Sequence, residues 1–200
     1  MIAQGDPLVG VPNANLLSVL FAENHIKDST VIWKDGRDER QNLSKGVVRK
    51  LVRQIADGYV TAGLISNPPR SEREVFIFVS ENQVIGYANI LAVIAAGGIV
   101  ATCSAQATVS ELQFRINVLK PRAIVCSTTS LPLAKATLKS SPIPFEIIIQ
   151  DSKLMIIQSS RGHSYISKSE YIWSTEWNDE ISNRPALLVF SSGTTGTPKG

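Results

Sequence analysis

The sequence is poor in the residues that build metal sites and disulfide frameworks. It has two cysteines and two histidines in 200 residues, and neither pair has the spacing of a zinc site or a CxxC redox motif. Cys103 and Cys126 are therefore expected to be thiols of the hydrophobic core. His25 and His163 lie in polar stretches without a partner motif, so no catalytic role is predicted for them. Nothing in the cysteine and histidine content indicates a metal centre or an oxidising compartment.

A strong charge of either sign is also missing. The 20 basic and 17 acidic residues leave a formal charge of +3, and the basic residues are too dispersed to indicate a nucleic-acid surface. The densest basic stretch places Lys45, Arg49 and Arg53 four residues apart on a predicted helix, which we interpret as a solvated helix face. The opposite face of that helix is apolar. It comprises Val47, Val48, Leu51, Val52 and Ile55.

A long apolar run without interruptions is absent as well. No charged residue occurs from Asn82 to Ser110, but this stretch contains Asn89 and the pair Gly97-Gly98. It falls short of the roughly 20 apolar residues that a membrane span needs. We interpret it as a buried helix followed by a buried strand, with a transmembrane span as the alternative. The first 20 residues lack a basic region followed by an apolar core, so no secretory signal is expected.

What the sequence does have is a regular alternation of strand and helix patterns. Short runs rich in β-branched and aromatic residues alternate with segments of helical periodicity. This order predicts an α/β fold in which a mostly parallel sheet carries helices on both faces. The predicted strands of this sheet are 75–79, 98–102, 123–126, 145–150 and 186–190, and the predicted helices run to about 24, 62, 96, 120 and 138.

Turn and cap residues predict where these elements begin. Asp35-Gly36 predicts a tight hairpin between strands 30–33 and 37–42. Ser80-Glu81-Asn82-Gln83 and Thr108-Val109-Ser110-Glu111 each match a capping box. From 152 to 184 the pattern weakens, and its aromatic residues are interpreted as anchors of a surface loop. They are Tyr165, Tyr171, Trp173 and Trp177.

The most informative segment is the last one. Residues 191–200, Ser-Ser-Gly-Thr-Thr-Gly-Thr-Pro-Lys-Gly, directly follow the apolar strand 186–190. Glycines let backbone N–H groups approach an anion, hydroxyls donate further hydrogen bonds, and a lysine adds a mobile positive charge. Parallel sheets bind ligands at the carboxyl ends of their strands, where this loop is predicted to lie. The segment predicts a phosphate-binding loop, with a flexible Gly/Ser/Thr tail as the alternative.

This loop differs from the two commonest nucleotide motifs. A Walker A loop needs Gly-x4-Gly-Lys-Ser/Thr, but here Pro198 precedes Lys199, and Gly200 stands where the magnesium-binding hydroxyl is required. A dinucleotide fingerprint fails because Gly193 and Gly196 lack a glycine in the first spacing. A P-loop phosphotransferase and a dinucleotide-binding protein are therefore both disfavoured.

Residues 191–200 do resemble the signature of the adenylate-forming (AMP-binding) superfamily, which includes acyl-CoA synthetases, coumarate-CoA ligases, luciferases and peptide-synthetase adenylation domains. Both glycines, the Thr-Thr pair and Pro-Lys-Gly are in register. The segments that begin at Ser80, Ala95, Thr108 and Lys120 are similar to the amino-terminal subdomain of this family. The resemblance covers about 16–200, which divides the chain into a loose N-terminal segment, 1–15, and a partial adenylation domain, 16–200.

Details of the match bear on the subfamily. The Phe190-Ser-Ser opening is more similar to coumarate-CoA ligase and luciferase-like members than to peptide-synthetase domains. The chain departs from the family pattern at Asn67 to Arg73, which lacks a frequent Gly-Asp turn, and at Ser104-Ala105, where Asn-Pro is frequent. These departures concern the substrate assignment and leave the loop itself unchanged.

The resemblance implies a two-step reaction. A carboxylate attacks the α-phosphate of Mg-ATP to give an acyl-adenylate and pyrophosphate, and the thiol of coenzyme A then displaces AMP. It therefore implies a small carboxylic acid substrate, with ATP, Mg²⁺ and coenzyme A as cofactors. Seven residues would bind the phosphates through hydroxyls, backbone N–H groups or the lysine charge. They are Ser191, Ser192, Gly193, Thr194, Thr195, Gly196 and Lys199.

Later motifs of the family, including its catalytic lysine, do not occur within these 200 residues. We therefore expect the amino-terminal portion of an acid–thiol ligase, with no catalytic residue of its own and no ATP–pyrophosphate exchange when tested alone. The alternative left open is a non-catalytic remnant or a nucleotide-phosphate binding module. The resemblance implies a cytoplasmic or peroxisomal location.

Overall fold

The structure is a computed structural model that describes residues 14–22, 26–67, 72–174 and 185–190. The helices in this part of the chain are α1 (Leu16–Phe21), α2 (Lys45–Thr61), α3 (Val84–Ala95), α4 (Val109–Leu119) and α5 (Leu131–Ser140). The strands are β1 (Val31–Lys34), β2 (Asn42–Ser44), β3 (Val75–Val79), β4 (Ile99–Cys103), β5 (Ala123–Cys126), β6 (Glu146–Asp151), β7 (Ile156–Ser159) and β8 (Leu187–Leu188).

Six strands form one sheet in the order β7-β6-β5-β3-β4-β8. Every neighbouring pair is parallel except β6 and β7, which are antiparallel. The chain leaves β3 towards β4 on one side and later returns to β5 on the other side. The carboxyl ends of β3 and β5 therefore form a topological switch point, the place where open α/β sheets bind ligands. The predicted mostly parallel α/β fold is confirmed.

Hydrophobic side chains cover both faces of the sheet because successive residues of a strand point in opposite directions. Phe76 packs in a core with α2 and α3, and its neighbour Ile77 packs in a second core with α4 and α5. The uncharged stretch 82–110 forms α3 and β4, as predicted. None of the described helices is long and apolar enough to cross a membrane. Cys103 and Cys126 are buried free thiols, as predicted.

One of the two predicted capping boxes is present and the other is not. The Thr108 hydroxyl oxygen accepts from the Glu111 N–H, and the Glu111 carboxylate accepts from the Thr108 N–H at 2.7 Å. Ser80, by contrast, does not begin α3, whose N-cap is Gln83 without a side-chain bond. The Ser152 hydroxyl oxygen accepts from the Ile85 N–H instead, at 2.9 Å. A residue distant in sequence thus supplies the cap that the local pattern predicted.

The hairpin prediction is right about the pairing and wrong about the turn. β1 and β2 pair in antiparallel fashion, but residues 35–41 connect them, so the predicted second strand 37–42 contributes only its last residue. The carboxylate of Asp35 accepts from the N–H groups of Arg37 and Asp38, at 2.7 and 3.1 Å. This side chain stabilises a longer connection than the two-residue turn that Asp-Gly usually forms.

The predicted solvated basic face of α2 is wrong for Lys45. Its side chain is buried, and Nζ donates to the carbonyl oxygens of Ala22 and Ile26 at 2.6 and 3.2 Å. The ammonium therefore binds one carbonyl group at the carboxyl end of α1, where carbonyl groups lack helical partners, and a second one further along the chain. Arg49 and Arg53 pair instead with carboxylates, those of Asp28 and Glu170. On the apolar face, Val47 is exposed, whereas Val48, Leu51, Val52 and Ile55 are buried.

The polar stretch after β6 contains a strand that the sequence did not predict. β7 pairs with β6 as the edge of the sheet, after a short turn at 152–155. The aromatic anchors are confirmed where the structure describes them. Tyr165 is buried with its ring 5.3 Å from Tyr59, Trp173 lies 5.8 Å from Phe21, and Tyr171 packs on the same core. Trp177 lies outside the described residues.

Candidate functional site at the carboxyl edge of the sheet

The carboxyl ends of the five parallel strands lie along one edge of the sheet. Ser80, Ser104 and Ser127 follow β3, β4 and β5 at this edge. The loop predicted to bind phosphate, 191–200, lies outside the described residues, and so does His25. The predicted binding residues Ser191, Ser192, Gly193, Thr194, Thr195, Gly196 and Lys199 therefore remain a prediction from sequence.

The structure does place the strand that leads into this loop. Leu187 and Leu188 of β8 pair in parallel with Val100 and Ala101 of β4. A hydrogen bond of 3.0 Å from the Val100 N–H to the Ala186 carbonyl oxygen begins the pairing. Because β8 runs parallel to β4, it directs the chain to the carboxyl edge. The predicted strand 186–190 is confirmed as a shorter strand with the expected direction.

Two side chains of α4 contact the residue that immediately precedes the predicted loop. The guanidinium carbon of Arg115 lies 5.0 Å from the centre of the Phe190 ring. The Phe114 ring contacts the same ring edge-on, with centroids 6.4 Å apart. Arg115 Nη1 donates to the Glu111 carbonyl oxygen at 3.0 Å, whereas its Nε is buried without a hydrogen-bond partner among the described residues. We call Phe114, Arg115 and Phe190 the strand-exit cluster.

A second guanidinium binds the backbone at the other end of β8. Arg73 donates from Nη1 to the Pro185 carbonyl oxygen at 2.9 Å and from Nη2 to the Gly98 carbonyl oxygen at 2.8 Å. Its Nε donates to the Gly97 carbonyl oxygen. One side chain thus connects the segment before β8 to the turn before β4. Sequence analysis did not predict a role for Arg73 or Arg115. Neither residue lies in a motif, and their partners are backbone carbonyl groups or a residue distant in sequence.

The polar side chains at the switch point form their hydrogen bonds with one another and with nearby backbone groups. Ser127 Oγ donates to a carboxylate oxygen of Glu81 at 2.6 Å, and Ser130 Oγ accepts from the Ser127 N–H at 3.0 Å. Ser130 Oγ also donates to the Val79 carbonyl oxygen. Both serines are buried. These hydrogen bonds close the turn after β5 and connect it to the end of β3. They therefore stabilise the carboxyl edge of the sheet at the switch point.

Neither thiol near the edge is suited to nucleophilic chemistry. Burial raises the pKa of the Cys103 thiol, an effect that the positive charge of Arg115 only partly offsets. Burial also raises the pKa of Cys126 to about 12. Nucleophilic cysteines need a lowered pKa, so both residues serve as apolar core groups. In the described ranges no cluster of histidine, cysteine and carboxylate residues could hold a metal ion.

Comparisons with known proteins point to one family. The sequence pattern of the family described as AMP-binding enzyme matches residues 21–200. A putative acyl-coenzyme A synthetase of Emericella nidulans is 25% identical, over 95% of this chain and 36% of its own. A phenylacetyl-CoA ligase of Aspergillus niger is 24% identical, over 100% and 37% of the two chains. The chain thus spans little more than a third of the length of these relatives.

Solved structures show the same fold. A benzoate CoA ligase from Burkholderia xenovorans superposes with a TM-score of 0.69 at 14% identity, covering 92% of this chain and 33% of that one. A luciferase-like enzyme from the mealworm Zophobas morio gives a TM-score of 0.68 at 22% identity, covering 84% and 37%. At such identities the likeness concerns the fold alone.

Proposed function

Because the chain belongs to the family of AMP-binding enzymes, we propose that it supplies the phosphate-binding part of an adenylate-forming acid–CoA ligase. The observation that carries this proposal is the course of β8. Its parallel pairing with β4 brings Phe190 to the carboxyl edge of the sheet, directly before the Gly-, Thr- and Lys-rich segment 191–200. A glycine-rich segment that follows a parallel strand is well placed to bind an anion.

The residues present fit a phosphate ligand. Ser191, Ser192, Thr194 and Thr195 offer hydroxyl donors, Gly193 and Gly196 allow close backbone approach, and Lys199 adds a positive charge. Mg²⁺ would share the phosphate oxygens and offset their negative charge.

The reaction that this arrangement would serve consumes ATP, a carboxylic acid and coenzyme A. The acid carboxylate attacks the α-phosphorus, the bond to the β-phosphate oxygen breaks, and pyrophosphate leaves. The coenzyme A thiol then attacks the acyl carbon, loses its proton, and AMP leaves. Within this scheme residues 191–200 would hold the departing phosphates, an electrostatic role. The relative named a phenylacetyl-CoA ligase supports a small carboxylic acid as substrate.

The proposed domain runs from 16 to 200, after a separate N-terminal segment, 1–15. The family match from residue 21 and the packing of α1 on the core through Leu17 and Phe21 support this boundary. We also propose a cytoplasmic or peroxisomal location, as expected for a carboxylic acid ligase of this kind.

Calorimetric titration of the 200-residue chain with MgATP tests this function. Wild-type protein should bind, and Lys199→Ala should weaken binding by about tenfold or more, since one charge-assisted hydrogen bond is lost. Lys168→Ala is the matched control because Lys168 is exposed and distant in sequence from the loop. Equal affinities of the two variants, or no binding by the wild type, would contradict the proposal.

A second measurement distinguishes the proposed ligase from the alternative, a nucleotide-phosphate binding module without ligase activity. ATP–pyrophosphate exchange should be absent from the 200 residues alone and present, with a carboxylic acid, in a longer protein that contains them. Nucleotide binding without exchange in the longer protein would favour the binding module.

A further inference from the structure

We propose that Arg73 and Arg115 are positioning residues that fix β8 at its two ends and thereby set where the phosphate-binding segment begins. The inference rests on the proposed function, because it concerns the strand that leads into 191–200. Neither arginine is assigned contact with the reacting atoms here. In the described part of the chain, few other contacts hold β8 in place.

β8 has few of the contacts that normally fix a strand. Only Leu187 and Leu188 pair with β4, and within the described residues no strand pairs with the other side of β8. The side chains of Leu187 and Val189 are 51% and 65% exposed. Two paired residues with one solvated face leave a strand free to fray, since hydrophobic burial is the main source of strand stability.

Arg73 holds the entry to β8 through backbone atoms. Its guanidinium donates to carbonyl oxygens of three residues, two before β4 and one, Pro185, before β8. The planar fork of guanidinium donors allows these bonds to form together. A lysine ammonium on the same backbone could not span the three carbonyl groups in this geometry. Arg73 therefore sets the separation of the two chain segments where β8 begins.

Arg115 holds the exit from β8 through a ring. Its guanidinium lies over Phe190, and the Phe114 ring contacts Phe190 from another direction. A guanidinium at 5.0 Å from a ring centroid is within the range of a cation–π interaction. Because α4 begins with a complete capping box at Thr108, Arg115 projects from a well-anchored helix. Phe190 is thus fixed to α4 one residue before the predicted loop.

The two contacts act on a very short piece of chain. Pro185 and Phe190 are five residues apart, about 17 Å in an extended strand. Fixing both ends limits both translation and tilt of this piece, which a single contact would not do. The position of Phe190, directly before the predicted loop, then depends on two arginines that lie outside that loop.

The test combines hydrogen exchange, nucleotide affinity and thermal stability of the 200-residue chain. The variants are Arg73→Ala, Arg73→Lys, Arg115→Ala and Phe190→Leu, with Arg161→Ala as the exposed control. We expect amide exchange at residues 187–190 to speed up by about tenfold in Arg73→Ala and about threefold in Arg115→Ala. Arg73→Lys should resemble Arg73→Ala, because the fork is lost although the charge remains. MgATP affinity should fall in the same order.

A double variant isolates the ring contact. Arg115→Ala combined with Phe190→Leu should exchange no faster than Phe190→Leu alone, since Phe190→Leu already removes the ring that Arg115 contacts, together with the Phe114 contact. The control Arg161→Ala should match the wild type in every readout. Exchange at 75–79, in the centre of the sheet, should stay unchanged in all variants.

Three outcomes would overturn the inference. These are unchanged exchange at 187–190 in both alanine variants, equal acceleration at 75–79, and additive effects of Arg115→Ala and Phe190→Leu. Wild-type protein that binds no MgATP would instead contradict the proposed function. In that case the exchange data still decide whether the two arginines hold β8.

Discussion

β3 and β8 belong to the same sheet but are held in different ways. β3 pairs with β4 on one side and β5 on the other, and Phe76, Ile77 and Val79 are fully buried. β8 pairs with β4 through two residues, and Leu187 and Val189 are exposed. The stability of the fold therefore resides in the centre of the sheet. The strand that leads to the predicted site depends on directional contacts, as regions of low local stability often do.

The largest expected effect tests this difference directly. Phe76→Ala should lower the free energy of unfolding by about 3–5 kcal/mol. The Phe76 side chain has no exposed surface, so its removal leaves a cavity in the core. Leu187→Ala, which removes an apolar side chain from β8, should change it by no more than about 0.5 kcal/mol. Urea unfolding measures both. Similar losses of unfolding free energy in the two variants would contradict the difference between β3 and β8.

A second change probes the packing of the α2 side of the scaffold. A Cβ at Gly58 would lie 2.0 Å from the Tyr165 carbonyl oxygen, so Gly58→Ala forces α2 away from the segment that contains Tyr165. We expect a loss of about 3 kcal/mol in unfolding free energy. Gly36→Ala is the matched control, because nothing lies within 4 Å of its Cβ. A neutral Gly58→Ala in chemical denaturation would show that this contact is looser than described.

A third change removes a buried hydrogen bond beneath the sheet. The Tyr59 hydroxyl donates to Asn89 Oδ1 at 2.6 Å, and Asn89 Nδ2 donates to Gln150 Oε1 at 3.0 Å. Tyr59→Phe leaves a buried amide oxygen without this donor, which should cost about 1–3 kcal/mol. Thermal unfolding of the variant beside the wild type checks the value. An unchanged Tm would indicate that water reaches these three side chains and replaces the lost hydroxyl donor.

The last effect is absent at neutral pH and develops only at alkaline pH. Burial raises the pKa of Cys126 from 9.0 to about 12, with Lys135 lowering it and Glu81 raising it to lesser extents. The folded state keeps the proton that the unfolded state loses above pH 9, so stability contributed by the neutral thiol is complete below 9 and is lost as pH approaches 12. Tm should therefore fall over this interval, and less steeply in Cys126→Ala. Equal slopes would contradict the assignment.

Sequence patterns predicted the centre of the molecule better than its edges. β3 and β5 have the predicted bounds because each is a short, unbroken apolar run rich in β-formers and flanked by polar or turn residues, a pattern typical of buried parallel strands. The Thr108 cap was predictable because both partners lie within four residues of each other. The cap of α3 by Ser152, the burial of Lys45 and the strand β7 were not, since each depends on segments that meet only in three dimensions.

The predicted site shows the same division. Residues 191–200 carry their chemistry in local order, which made the family resemblance visible from sequence. Arg73 and Arg115 bind backbone carbonyl groups and one aromatic ring, and nothing in the neighbouring residues marks them for that role. Positioning contacts of this kind require the fold.

Hydrogen exchange of the 200-residue chain with and without MgATP tests the central proposal most directly. If residues 191–200 bind phosphate at the carboxyl edge of the sheet, saturating MgATP should slow exchange of their amides, and Lys199→Ala should diminish that protection. Amides of this segment that exchange at the same rate with and without saturating nucleotide would contradict the account.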